Sequence, residues 1–309
     1  MDLQQELNKT GGFKNLELLA KQVVEGFIAG MHKSPFHGFS AEFAEHKIYN
    51  PGESTKHIDW KLYAKTDRLY TKRYDEETNL RCHIILDNSS SMHYPETAGT
   101  SIEHLNKIAF SALASASLMH ILKKQRDAVG LSIYSDNYDF YSPEKGSERH
   151  HQMLLHKLSE AVVSKPETKT TETYRYLHQI AEKIHRRSLI FVFTDMFQTS
   201  EDDEKLFEAL RHLKHNKHEV VLFHVFDKEK ELAFDFDNRP KRFIDIETGD
   251  HINLYADTIK ETYEKAVKEY FTDLKIKCGQ YRIKYVEADI NAGFDSILTT
   301  YMIERQKFI

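Results

Sequence analysis

Apolar residues recur at helical spacing at the start of the chain, at Leu16, Leu19, Ala20, Val23, Phe27 and Met31, before Gly30 and Pro35 close the run. The spacing predicts one amphipathic helix. From Ser34 to Asp75 the pattern turns irregular and aromatic, with turn chemistry at Asn50-Pro51-Gly52 and strand-like alternation near Leu69 to Tyr74. Residues 1–79 are read as an annex packed on a domain that occupies residues 80–309.

Within that domain, short continuous apolar runs alternate with helical patterns. Strands are expected at 82–87 (CHIILD), 128–135 (AVGLSIYS), in SLIFVFTD, in EVVLFHVFD and at 281–287, with a hairpin partner in YDFYS. Helices are expected at 101–124, 147–163, 174–185, 201–214, 257–277 and 294–307, the first opened by a capping box of Thr100 and Glu103. Its Ala/Ser-rich interior, SALASASLMH, suits close packing on a sheet. Runs such as LIFVF, apolar throughout, are what a strand buried on both faces requires. The alternation predicts an α/β fold, a doubly wound and mostly parallel sheet with helices on both faces. Residues 228–254 break the rhythm with charged, alternating segments and a Glu247-Thr248-Gly249-Asp250 turn, read as a β-hairpin excursion.

The strand that ends at Leu86 runs into Asp87-Asn88-Ser89-Ser90-Ser91, an Asp-x-Ser-x-Ser loop of hard oxygen donors. In an open sheet of strand order 3-2-1-4-5-6, ligands sit where the order reverses, between the first and fourth strands. Here the first strand ends in Asp87 and the fourth in Thr194-Asp195. Two carboxylates facing one crevice repel, and a cation or a shared proton is the remedy. Carboxylates with Ser or Thr hydroxyls suit Mg²⁺, and Mn²⁺ or Ca²⁺ by the same donor chemistry. A third segment, Thr170-Thr171-Glu172-Thr173, precedes a helix, and Thr171 is the preferred hydroxyl, with Thr170 as the alternative. The competing reading makes the loop a polar turn, with Ser89 and Ser91 capping the next helix.

The loop, the threonine before a helix and the Phe193-Thr194-Asp195 strand end resemble the metal-ion-dependent adhesion site of von Willebrand factor A domains. The annex resembles the signature box of the domain of unknown function 58 family through Ser34-Pro35-Phe36-His37-Gly38, Tyr49-Asn50-Pro51-Gly52-Glu53, Ile58-Asp59-Trp60-Lys61 and Ala64-Lys65-Thr66-Asp67. Gly52, Asp59, Trp60, Lys61 and Thr66 carry that box. Departures are mild: Glu53 stands where Asp is common, and Lys65 where Arg is common, which costs two-pronged anion pairing. The resemblance implies a von Willebrand factor A-type sheet, a metal held by Asp87, Ser89, Ser91, Thr171 and Asp195, and a partner whose own Asp or Glu completes the metal shell. Asn88, Ser90 and Met92, interleaved in the loop, are assigned to partner contact. A MoxR-type AAA+ ATPase is the implied partner, and a non-enzymatic adaptor the implied role.

Composition narrows the rest. A hydrophobic share of 40% with 29% charged residues is that of a globular protein. No apolar run approaches the ~20 residues that span a bilayer, and the polar N-terminus has no secretory core, so a cytoplasmic setting is expected. Cys82 and Cys278 are lone thiols, which argues against a disulfide framework or a cysteine zinc site. The net charge of −5 argues against a nucleic-acid surface, although residues 56–73 interleave bases with aromatics and keep that reading as an alternative, with Trp60 more simply a buried anchor. A phosphoester hydrolase is the enzymatic alternative; no second metal cluster, glycine-rich phosphate loop or base beside Ser89 or Ser91 is apparent, and no catalytic residue is assigned. His212, His215 and His218 near a helix end, and the Asp235-Phe236-Asp237-Asn238 run, lack the companions of a zinc site and of an EF-hand loop.

Overall fold

The computed structural model describes residues 16–31, 46–48, 60–66, 68–72, 80–95, 104–135, 139–164, 173–196, 200–244 and 251–308. The first helix, α1 (Leu16–Met31), buries Leu16, Leu19, Ala20 and Val24, the stripe that its spacing requires. After it come β1 (His46–Ile48), α2 (Trp60–Thr66) and β2 (Tyr70–Lys72), with β1 and β2 paired antiparallel.

The central sheet has six strands: β3 (Arg81–Asp87), β4 (Ala128–Tyr134), β5 (Phe140–Lys145), β6 (Leu189–Thr194), β7 (Glu219–Phe226) and β10 (Lys284–Asp289). Their order is β10-β7-β6-β3-β4-β5. Every pair is parallel except β4 with β5, which run antiparallel with a register shift between Val129 and Leu131. The chain winds outward from β3 to β5 and then returns to β6 on the other side of β3. The order therefore reverses between β3 and β6, the crevice that an Asp-x-Ser-x-Ser loop after the first strand requires.

Two apolar layers enclose the sheet. Cys82, Ile84 and Leu86 of β3 face one side, which is covered by α1, α3 (Lys107–Lys124), α4 (Glu148–Val163) and α8 (Asp295–Arg305). Ile85, Ile190 and Val192 face the other, covered by α5 (Thr173–Lys183), α6 (Ser200–His215) and α7 (Ala256–Gln280). Strands clothed on both faces have no polar side to show, which accounts for β6 being buried at every position. Cys82 and Cys278 are buried free thiols, one in each layer.

The helix α3 lies inside, with all of Lys107 to Met119 buried. Its Ala and Ser side chains permit that depth, and Ser111 and Ser117 each donate to the carbonyl four residues back, at 2.8 Å. It starts at Lys107 rather than near Ser101. Asn106 caps it, accepting from the Ala109 amide at 2.9 Å, while the expected Thr100–Glu103 box lies outside the described residues. An Asn oxygen that reaches the amide three residues on ends the extended segment at that point.

Past β7 the chain makes a single π turn (Lys228–Leu232), capped by Asp227, before a two-stranded antiparallel hairpin of β8 (Pro240–Ile244) and β9 (His251–Tyr255). The excursion is thus helical at its start and extended only from Pro240. Among the described residues, no helix is long and apolar enough to cross a membrane.

Candidate metal centre

At the carboxyl end of β3, Asp87 is buried and held at both oxygens. The Ser89 amide donates to Oδ1 at 2.9 Å, and the Thr194 hydroxyl at the end of β6 donates to Oδ2 at 2.8 Å. Ser89 Oγ lies 3.1 Å from Ser91 Oγ, so these two hydroxyls form a pair beside the carboxylate. Ser89 does not cap the short 3₁₀ turn Ser90–His93 through its side chain, which sets aside the capping role for that residue.

Asp195 is buried next to Asp87. Burial, and then the charge of Asp195, push the Asp87 carboxyl up to about 6, against the lowering pull of the Ser89 amide and the Thr194 hydroxyl. The two carboxylates stand together, both buried, at the ends of the neighbouring strands β3 and β6. Part of the compensation comes from the chain itself: the Lys107 ammonium lies 2.8 Å from Asp195 Oδ2 and 2.7 Å from Glu231 Oε1, with its side chain 1% exposed. Burial opposes the charge on Lys107, yet Asp195 and Glu231 outweigh it and hold the ammonium well above its ordinary range. Burial lifts the Glu231 carboxyl above its ordinary range, although Lys107 pulls the other way.

Neither Lys107 nor Glu231 was singled out by the sequence pattern. A signal for Lys107 exists: it is the one ionisable residue in an otherwise apolar and small-residue stretch from Lys107 to Met119 that is buried throughout. Glu231 sits in Lys-Glu-Lys-Glu-Leu, where nothing distinguishes it from a solvated neighbour.

The remaining predicted positions divide. Asn88 is buried, its amide donating to the Tyr134 carbonyl at 2.7 Å and its side-chain oxygen 3.0 Å from His93 Nε2. Ser90 is buried with its hydroxyl lacking a hydrogen-bond partner. Met92 is a core residue, 0% exposed in the layer with Leu86 and Phe193, and this corrects its assignment to partner contact: its side chain points inward because the 3₁₀ turn folds it under the loop. Ser91, His93 and Tyr94 of the same turn are partly exposed. Thr171 and Thr170 lie outside the described residues, as do Gly52 and Asp59 and the side chains of Trp60 and Lys61. Thr66 donates its hydroxyl to the Leu62 carbonyl at 2.8 Å. His212 Nδ1 lies 3.1 Å from His178 Nδ1, while His218 Nδ1 accepts from the Ser188 amide at 3.1 Å, so these two histidines serve different contacts.

Among the described residues no three His, Cys, Asp or Glu side chains are gathered as a metal-holding group, so the donors a hard divalent cation would meet here are two carboxylates and hydroxyls. The carboxylates are buried, one of them destabilised by its neighbour's charge, and the hydroxyl pair lies at the switch point of the sheet.

The profile of the family described as "Protein of unknown function DUF58" matches residues 45–272. The chain belongs to this family. Over 107 residues it is 25% identical to the uncharacterized protein Rv1480 of Mycobacterium tuberculosis, covering 35% of this chain and 32% of the relative. It is 23% identical over 124 residues to the uncharacterized protein YeaD of Bacillus subtilis, covering 40% of this chain and 28% of the relative. The match thus spans about a third of the length of the curated relatives. Among solved structures, the conserved hypothetical protein BatB from Bacteroides thetaiotaomicron is similar at a TM-score of 0.45 and 16% identity, over 74% of this chain and 98% of that one.

Proposed function

We propose that this DUF58 protein is a non-enzymatic, metal-dependent protein-binding module of von Willebrand factor A type. A divalent cation such as Mg²⁺ is held by Asp87, Ser89 and Ser91, with Thr171 and Asp195 contributing directly or through water. The observation that carries this reading is the pinned Asp87 carboxylate beside the Ser89–Ser91 hydroxyl pair, at the reversal of strand order. Bound there, the cation supplies an open coordination position for an acidic side chain of another protein. Asp87 is oriented by the Ser89 amide and the Thr194 hydroxyl, so it needs little reorganisation to meet the cation. The two serines are ligands rather than nucleophiles in this scheme, with their hydroxyls paired to each other at 3.1 Å beside the Asp87 carboxylate.

The proposed partner is a MoxR-type AAA+ ATPase in the cytoplasm, with this protein as its adaptor in the assembly or maturation of other proteins. Pull-down from native extract, with Mg²⁺ or with EDTA and read by mass spectrometry, tests the reading. An ATPase is expected with Mg²⁺ and not with EDTA, and Asp87→Ala is expected to lose it while the far-UV circular dichroism is retained. Capture of the same partner in EDTA would sink the proposal.

A further inference from the structure

Lys107 opens α3, and its place is set by the backbone on both sides. Asn106 caps the helix, and the Lys107 amide donates to the Tyr94 carbonyl at 3.0 Å, at the end of the Asp87–Tyr94 loop. The side chain then runs inward to the two carboxylates. Glu231, its second partner, is itself fixed, since its other oxygen accepts from the Asp227 amide at 2.7 Å. The ammonium therefore stands between a member of the candidate metal site and a carboxylate anchored in the π turn.

A buried ion pair is weak grounds for stability. Removing ions from water is costly, and apolar residues of the same volume often serve as well or better. What a fixed ammonium does here and an apolar side chain could not do is neutralise one of the carboxylates offered to a cation. Among the four side chains Asp87, Asp195, Glu231 and Lys107, the lysine leaves two negative charges, which one divalent cation balances. A lysine cannot ligate the cation, because an ammonium has donors and no lone pair. It competes by charge alone. An ammonium 2.8 Å from Asp195 would repel a divalent ion drawn to that same carboxylate, and strongly so in a medium less polar than water.

We propose that Lys107 sets the affinity of the crest for its divalent cation, acting as a built-in competitor that holds Asp195 and withdraws toward Glu231 when the cation arrives. This rests on the metal-site reading above. Asp195 is thereby kept as a weakened contributor, and the cation is held loosely enough that an acidic group from a partner adds to its binding. Lys107 is a positioning residue: it acts through Asp195.

The test is titration calorimetry of Mn²⁺ into the full chain at fixed pH, for wild type, Lys107→Met, Glu231→Gln and Asp87→Ala. Lys107→Met is expected to bind Mn²⁺ at least about tenfold more tightly, since the opposing charge is gone. Glu231→Gln is expected to bind severalfold more weakly, because the ammonium then has only Asp195 of the two carboxylates to neutralise. The opposite signs are the signature, as a merely structural pair would move both variants the same way. If Lys107→Met fails to fold by circular dichroism, Glu231→Gln decides alone, and equal or tighter binding in it overturns the proposal. Equal or weaker binding in a folded Lys107→Met overturns it as well. Should Asp87→Ala abolish binding while Lys107→Met has no effect, only the role of Lys107 falls; should wild type bind no Mn²⁺, the metal site falls and this inference with it.

Discussion

Asp87 is buried beside Asp195, and its carboxyl is pushed up to about 6, first by burial and then by that neighbouring charge. An unfolded aspartate titrates near about 3.9. The folded chain therefore holds the Asp87 proton more tightly than the unfolded chain does, and the charged form costs stability once the pH passes 6. The sign is opposite to that of an ordinary salt-bridged aspartate. Asp87→Asn, which keeps an acceptor for the Ser89 amide, is expected to melt several degrees above wild type in EDTA at pH 7.5. Its advantage should shrink as the pH falls from 6 toward 4. Each pKa unit is worth about 1.4 kcal/mol, which caps the gain at roughly 3 kcal/mol. Differential scanning calorimetry checks it, and an asparagine variant that melts lower than wild type at pH 7.5 without metal would contradict the crowded-carboxylate account. At this scale Asp87, Ser89, Ser91 and Asp195 were legible because a strand end followed by spaced oxygen donors is a local pattern. Lys107 and Glu231 were not, because their meaning lies in partners 88 and 124 residues away.

The strand β4 shows how an element is fitted to its neighbours. His83 of β3 is 0% exposed, with Nδ1 2.7 Å from Glu144 Oε1 of β5 and Nε2 2.7 Å from Ser132 Oγ of β4, and it stacks on Tyr141. The three strands are thereby tied at one buried polar point. Gly130 makes the room. A Cβ there would stand 2.5 Å from His83 Nδ1 and 2.9 Å from the Ser142 carbonyl oxygen, and backbone cannot step aside cheaply. Gly130→Ala is accordingly expected to lose about 1–3 kcal/mol in urea denaturation, and a loss within error of zero would show that the His83 ring relocates freely. The glycine sits where β5 shifts register against β4, between Val129 and Leu131. Periodicity predicted the strands on both sides of this point, but the polar tie is invisible to it, because His83, Ser132 and Glu144 each read alone as an ordinary interruption. Among the helices, α1, α4 and α6 follow their apolar stripes closely. The start of α3 was missed because capping is decided by where one Asn side chain can reach, and several polar residues upstream offered themselves.

Across the whole molecule, the acid response is set by buried histidines. His218, at the turn into β7, and His224, within it, are each pushed down to about 4, first by burial. His120, His150 and His151 are lowered by burial in the layer of α3 and α4. A histidine that is neutral in the fold and takes a proton near about 6.5 when unfolded contributes stability above that pH and loses it as the pH falls toward 4. These five groups outnumber the carboxyls raised by burial, Asp87, Asp127 and Glu231, whose contributions have the opposite sign. The metal-free thermal midpoint is expected to fall steadily from pH 7 to pH 5, and less steeply in His218→Gln; a midpoint that is flat or rising over that window would contradict the burial of neutral imidazoles. The alternation of apolar runs with helical stripes by itself determined the α/β class, the identity of the sheet strands and the position of the Asp-x-Ser-x-Ser loop at a strand end, since burial on two faces leaves its mark on every residue of a strand. The observed order, β10-β7-β6-β3-β4-β5, is the 3-2-1-4-5-6 arrangement on which placing the loop at the reversal was conditional, and the alternation alone did not specify it. Only the tertiary structure decided what meets at the reversal: that the Thr194 hydroxyl holds Asp87, that Met92 turns into the core, and that an ammonium from α3 meets Asp195 and Glu231. Such contacts are set by which side chains distant in sequence share a small buried volume, and no periodicity along the chain encodes that distance.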